Sequence, residues 1–263
     1  MFPPCRSNNR FRNAVAWLCL GACGAWAQDA SKKLNVPDEI ASLRAGVVTP
    51  YGLEFLAESK AVEAIPALEE RFELVSDDLD KGQIAEVLIR LKDPKPVYWA
   101  YLEKLVRSAL DSDPPDPFDV DAQGRETGIS PGIEAWARAT RQAPPAALEN
   151  ATAVYPAYVV LLGGTEDRRA IPLLNRALLS RDHLIQAEAA EGLALFGDRA
   201  SIPLILEACR KAPARAAGLI AASLVYFDDP AAQAAVDQFL PGKEARDLRE
   251  RVRAGGRPLH QER

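Results

Sequence analysis

The sequence predicts an all-α fold, a right-handed α-solenoid of helical hairpins with a period of about 31–32 residues. Three observations predict it. Ala170-Ile171-Pro172-Leu173-Leu174 returns 31 residues later as Ser201-Ile202-Pro203-Leu204-Ile205. Leu195-Phe196-Gly197-Asp198 returns at the same spacing as Tyr226-Phe227-Asp228-Asp229. Each period holds two apolar stripes of helical spacing with a break between them. A single hairpin cannot bury its stripe alone, so stacked copies must share one long core.

In the first clear unit, Ile171, Leu174 and Leu178 fall at i, i+3 and i+7 on one helical face. Pro172 sits in the first turn, where a missing N–H costs nothing. Asp182 or His183 interrupts the pattern. Ile185, Ala189, Gly192, Leu193 and Phe196 form the second stripe, and Gly197 suits the left-handed position after a helix. The next unit repeats this with Ile202, Ile205 and Cys209, then Ala217, Ile220, Ala221, Leu224 and Phe227. Asp229-Pro230 opens a third, an N-cap followed by proline. Small residues such as Ala187, Ala189, Ala190, Gly192 and Ala194 permit close helix approach.

These residues resemble the HEAT-like repeats of phycobilisome lyase-type proteins, whose pattern runs roughly A-[IV]-P-x-L, V-R, A-x-x-A-L, G-D. The matching residues are Ala170-Ile171-Pro172-Leu173-Leu174, Ala190-Glu191-Gly192-Leu193 and Gly197-Asp198. The family's arginine is Gln186 here, so its arginine-to-aspartate ladder is not carried over to this unit. The resemblance speaks to fold and says little about function.

The chain from its start reads as follows. Residues 1–27 read as a signal peptide: Arg6, Arg10 and Arg12, a short apolar run from Ala14 to Gly24, then Ala25-Trp26-Ala27 as a cleavage site. Leu20-Gly21-Ala22-Cys23 also resembles the lipobox of bacterial lipoproteins, an alternative export reading in which Cys23 is acylated. The expected location is periplasmic or secreted, with an outer-membrane lipoprotein as the alternative. Without residues 1–27, Cys209 is the one cysteine left, and no internal disulfide can form. The formal charge of −5 becomes −8 once the three arginines leave. That balance argues against nucleic acid, which needs a basic stripe, and no segment is long enough to span a membrane.

A polar lead-in (28–36) precedes degenerate repeats at 37–110. Helices are expected from Pro37, with Ile40 and Leu43 inward, and from Pro50 behind Thr49. Ala64-Ile65-Pro66-Ala67-Leu68 repeats the motif of Ala170 and opens a helix to about Val75. Asp77 and Asp78 break it, Ile84, Val87, Leu88 and Leu91 stripe the next, and Val97 starts another 32 residues after Ile65. Tyr98, Trp99 and Tyr101 at helical spacing read as core. Residues 111–130 form an acidic, proline-rich loop. Asp119 and Asp121 start an EF-hand-like spacing, but its twelfth position is Ser130, so these two are a weak metal alternative beside a solvated acidic loop. Residues 131–256 hold the C-terminal repeats. Ser130 caps their first helix, Pro156 separates or kinks two more, and Lys243 to Arg253 caps the array. A disordered tail, 257–263, is expected to follow.

No catalytic or cofactor pattern appears. His183 and His260 have no histidine or cysteine near them for zinc, and there is no G-x-S-x-G, P-loop or G-x-G-x-x-G. The expectation is a non-enzymatic scaffold that binds a protein partner along the ridge of second helices. Its candidate contacts are Arg90, Gln186, Glu188, Glu191 and Arg215. The family resemblance alone implies an alternative, a bilin lyase-like or chromophore-binding protein.

Overall fold

The computed structural model describes residues 34–93, 95–120 and 126–254. The expected signal peptide with Cys23, most of the lead-in, Asp121 and the tail lie outside the described residues. Within them the chain is almost wholly helical, and the helices pair as predicted. Six hairpins follow one another among the described residues. They are α1 (Val36–Arg44) with α2 (Pro50–Glu58), α3 (Ile65–Leu74) with α4 (Asp78–Arg90), α5 (Pro96–Asp111) with α8 (Tyr155–Gly164), α9 (Ile171–Ala177) with α10 (His183–Leu195), α11 (Ile202–Lys211) with α12 (Ala214–Ala222), and α13 (Pro230–Phe239) with α14 (Gly242–Arg253).

Local chemistry sets the boundaries. Thr49 and Asp77 cap α2 and α4: the Thr49 hydroxyl accepts from Gly52 N at 3.0 Å, and Asp77 accepts from Leu79 N at 2.9 Å and Asp80 N at 3.0 Å. Asp229 does the same for α13. Proline stands in the first turn of α1, α2, α3, α5, α9, α11 and α13. Between hairpins the chain reverses through a left-handed residue and a 3-10 turn: Lys60 before Val62–Ala64, Glu166 before Arg168–Ala170, Gly197 before Arg199–Ser201. The glycine predicted for that position is thus one of several occupants.

The motif residues point inward. Leu174, Leu178, Ile202, Ile205 and Cys209 are buried, as are Ile185, Leu193, Ile220, Leu224 and Phe227, and Ile171 is partly buried against the same core. Burial pushes the Cys209 thiol up to about 12, so it stays protonated and inert. The N-terminal core runs from Leu43 to Leu102 and takes in Leu161, while the C-terminal core begins at Leu105 and includes Leu162. Adjacent residues of α5 and α8 therefore serve both cores.

Helix α8 meets α10 at a glycine pair. A Cβ on Gly163 would lie 2.9 Å from the Gly192 Cα, and one on Gly192 would lie 3.1 Å from the Gly163 Cα. The two backbones touch, and Leu174 closes the other side of Gly192, its Cδ1 3.1 Å from where that Cβ would lie.

Two expectations change. The 111–130 loop is not irregular throughout: Phe118–Val120 (β1) and Glu126–Ile129 (β2) pair as a short antiparallel ribbon. It belongs to a longer insertion between the two helices of the third hairpin, which also holds α6 (Pro131–Thr140) and α7 (Pro144–Glu149). Ile133, Trp136, Ala137, Ala147 and Ala151 give that insertion its own small core. Pro156 neither separates nor sharply breaks the helix. A π turn, Asn150–Val154, carries α7 directly into α8. Proline two residues into a regular helix would clash one turn back, and the wider turn relieves this.

Gly192→Ala is expected to lower stability by about 1–3 kcal/mol, overriding alanine's better helix propensity, because the new methyl is caught between the Gly163 backbone and the buried Leu174 side chain. Gly82→Ala meets the tip of Leu161, a side chain that can shift, and is expected to cost less. Urea denaturation midpoints of both variants test the contrast.

Candidate functional site

The second helices form a row, α2, α4, α8, α10 and α12, each packed on the next. Packing against neighbours and partner leaves one open stripe on each of α2, α8, α10 and α12, while the matching face of α4 is closed over. On α10 it is Leu184, Glu188, Glu191 and Leu195, at helical spacing, with nearly every other residue buried. On α12 it includes Arg215 and Leu219, on α8 Val160 and Gly164, and on α2 Tyr51, Glu54 and Glu58. Tyr51 is 79% exposed, Leu219 46% and Leu195 40%.

The sequence-predicted contact residues divide. Glu188, Glu191 and Arg215 lie on this stripe, Arg215 exposed and the two glutamates partly so. Arg90 is not offered to a partner. Its side chain is 10% exposed and held between hairpins, with Nη1 2.5 Å and Nη2 3.0 Å from the Glu54 carboxylate, Nη1 3.2 Å from Glu86 Oε1, and Nε 3.9 Å from Glu166. Gln186 is half-buried and donates from Nε2 to the Ser180 carbonyl at 2.7 Å. Its interaction is internal to the α9–α10 turn.

Glu86, absent from the sequence reading, is the centre of the N-terminal part of this surface. Its side chain is 12% exposed, and a Cβ on Gly164 would lie 2.6 Å from its Oε1, so α8 seals it from above. Burial pushes its carboxyl up to about 7; Arg90 opposes this, while Glu54 and Glu166 add to it.

A second group of ionic contacts pins the insertion to the fourth hairpin. Asp111 pairs with Arg176, Asp113 with Arg181 at 2.9 Å, and Asp116 with His183 Nδ1. The Asp113 carbonyl also accepts from Arg181 at 2.7 Å. Three aspartates of the acidic loop, Asp111, Asp113 and Asp116, thus have side-chain partners on α9, the turn after it and α10, while Asp111 and Asp113 remain largely exposed to solvent. Asp119 is exposed on β1 and Asp121 lies outside the described residues. Among the described residues no three metal-ligating side chains gather. Asp116, Phe118, His183, Leu184, Arg215 and Leu219 surround a pocket of about 30 Å³, room for a few waters and no substrate. Among the described residues that line this pocket there is no serine, threonine, cysteine or lysine.

Asp182 caps α10 from a fully buried position. Its Oδ1 accepts from Leu184 N at 2.8 Å and Ile185 N at 3.4 Å, and Oδ2 has no partner. Burial pushes this carboxyl up to about 8 against the two backbone N–H bonds, and nearby Asp116 adds to the rise.

Neighbouring units are also tied by arginines, from an unexpected place. Arg168 in the 3-10 turn reaches the Phe196 carbonyl at 3.3 Å and Asp198 at 3.4 Å. Its counterpart 31 positions on, Arg199, reaches the Asp228 carbonyl at 3.0 Å. The ladder missing at Gln186 is replaced by one between turns.

The family model for the PBS lyase HEAT-like repeat matches residues 185–211, which span α10 and the first helix of the next hairpin. That segment is a HEAT-like repeat. Searches of the curated proteins and of the solved structures returned no match. Among the described residues, no helix is long and apolar enough to cross a membrane.

Asp182 has a raised folded pKa, so its contribution to stability is present below about pH 4 and is lost as pH rises toward 8. Asp182→Asn keeps the cap acceptor without the charge. Urea midpoints measured from pH 4 to 8.5 are expected to fall less steeply for this variant than for the wild type.

Proposed function

We propose that this HEAT-like repeat protein is a non-catalytic scaffold that holds a protein partner along the stripe of second helices. One observation carries the reading: four of the five second helices in the row, α2, α8, α10 and α12, each leave an open stripe, and together these stripes mix acidic side chains with large apolar ones. Exposed leucines within a polar surround suit a protein contact. A wide-open depression of about 670 Å³ lies along α5 and its C-cap, lined by Glu103, Lys104, Arg107, Ser108 and Asp111. The export-signal pattern in residues 1–27 supports a periplasmic or secreted location, with lipidation at Cys23 as the alternative route.

Affinity capture from an envelope fraction, using the full chain, tests the proposal. Leu195→Arg combined with Leu219→Arg is expected to abolish capture of the partner and to change stability by less than about 1 kcal/mol, since both residues are substantially exposed. Leu74→Arg and Leu179→Arg, at exposed positions on or beside the first helices, are expected to leave capture intact. Loss of capture in the second pair alone would place the contact on the opposite face and refute the proposal.

A further inference from the structure

Three carboxyl groups from three hairpins converge on one guanidinium. Glu54 comes from α2, Glu86 and Arg90 from α4, and Glu166 from the turn between α8 and α9. With every group ionised, the cluster would hold two negative charges in excess. Glu86 and Arg90 are nearly buried, while Glu54 is 38% exposed and Glu166 71%. Water can therefore screen the outer two carboxylates but not the inner one. Among the described residues the charges that act on Glu86 come from each element packed on it: α2 presents Glu54, its own helix presents Arg90, and the end of α8 presents the bare backbone of Gly164 followed by Glu166.

We propose that these four residues form a proton-operated clamp, closed when Glu86 carries a proton and loosened when it does not. In the closed state Arg90 is chelated by Glu54 and shares its remaining reach between Glu86 and Glu166. Loss of the Glu86 proton places a full charge beside Glu54 and Glu166. Glu166 is the group that leaves, because its contact is the longest at 3.9 Å and its side chain is the most exposed. Its left-handed φ of 55° is the one Lys60 holds in the equivalent earlier turn, so the turn keeps its shape when Glu166 lets go. Release therefore loosens the Thr165–Asp167 turn against α4, while Leu161 packed on Gly82 keeps α8 in place. The direction of the Glu86 pKa, up to about 7, places the change near neutrality. The clamp does not depend on what the row binds.

Hydrogen exchange of the full chain, corrected for intrinsic rates, reads the turn directly. Protection of the peptide covering 160–170 is expected to fall on the order of tenfold between pH 5.5 and 8.5 in the wild type. It is expected to stay at its low-pH level throughout in Glu86→Gln, which keeps the shape and cannot ionise. A Glu86→Gln protein with the wild-type pH response would overturn the proposal. Should that variant fold poorly, carboxyl ¹³C NMR of the wild type decides. A Glu86 resonance titrating near pH 7 in step with the amides of Thr165–Asp167 supports the clamp, and one titrating in the ordinary glutamate range refutes it.

Discussion

The inner second helices α4, α8 and α10 are enclosed on three sides, and that enclosure governs the rest of the structure. Neighbours on both flanks and a partner behind favour small or aliphatic residues, so nine of the thirteen residues of α10 are alanine, glycine, leucine or isoleucine. The same enclosure brings Gly163 against Gly192 and confines outward chemistry to one stripe per helix. Hydrophobic burial supplies the association, and backbone contact sets the spacing.

Ionisable groups caught inside such a stack acquire unusual properties. Asp182 terminates a helix, as many aspartates do, but its burial leaves one oxygen without a partner. Glu86 and Arg90 are drawn inward because α2 and the α8–α9 turn close over them. By contrast, the pairs that pin the insertion, Asp111–Arg176 and Asp113–Arg181, are largely exposed and each contributes little alone. The insertion is retained mainly by the burial of Trp136, whose Nε1 donates to the Ser112 carbonyl at 2.8 Å.

The hairpins were legible because their signals are local. Ala-Ile-Pro-x-Leu fixes a helix start, Asp182 and Asp229 mark caps, and apolar spacing identifies the inward face. What stayed hidden depends on distant segments. Nothing local to α5 says that its partner is α8, because the ribbon, α6 and α7 intervene. Arg90 reads as an exposed residue near a helix end until Glu54, 36 positions earlier, and Glu166 are brought to it. Gln186 marks a lost arginine, whereas the substitute ladder from Arg168 and Arg199 lies in turns where no helical period guides the eye. Glu188, Glu191 and Arg215 were placed by helical phase alone and do lie on the open stripe.

The third hairpin belongs to both cores: Leu102 and Leu161 lie in one, Leu105 and Leu162 in the other. In a linear array each unit leans only on its neighbours, so cooperativity is transmitted link by link. This hairpin is the link between the two halves. Weakening it would uncouple the two halves, so that each would melt as its own block.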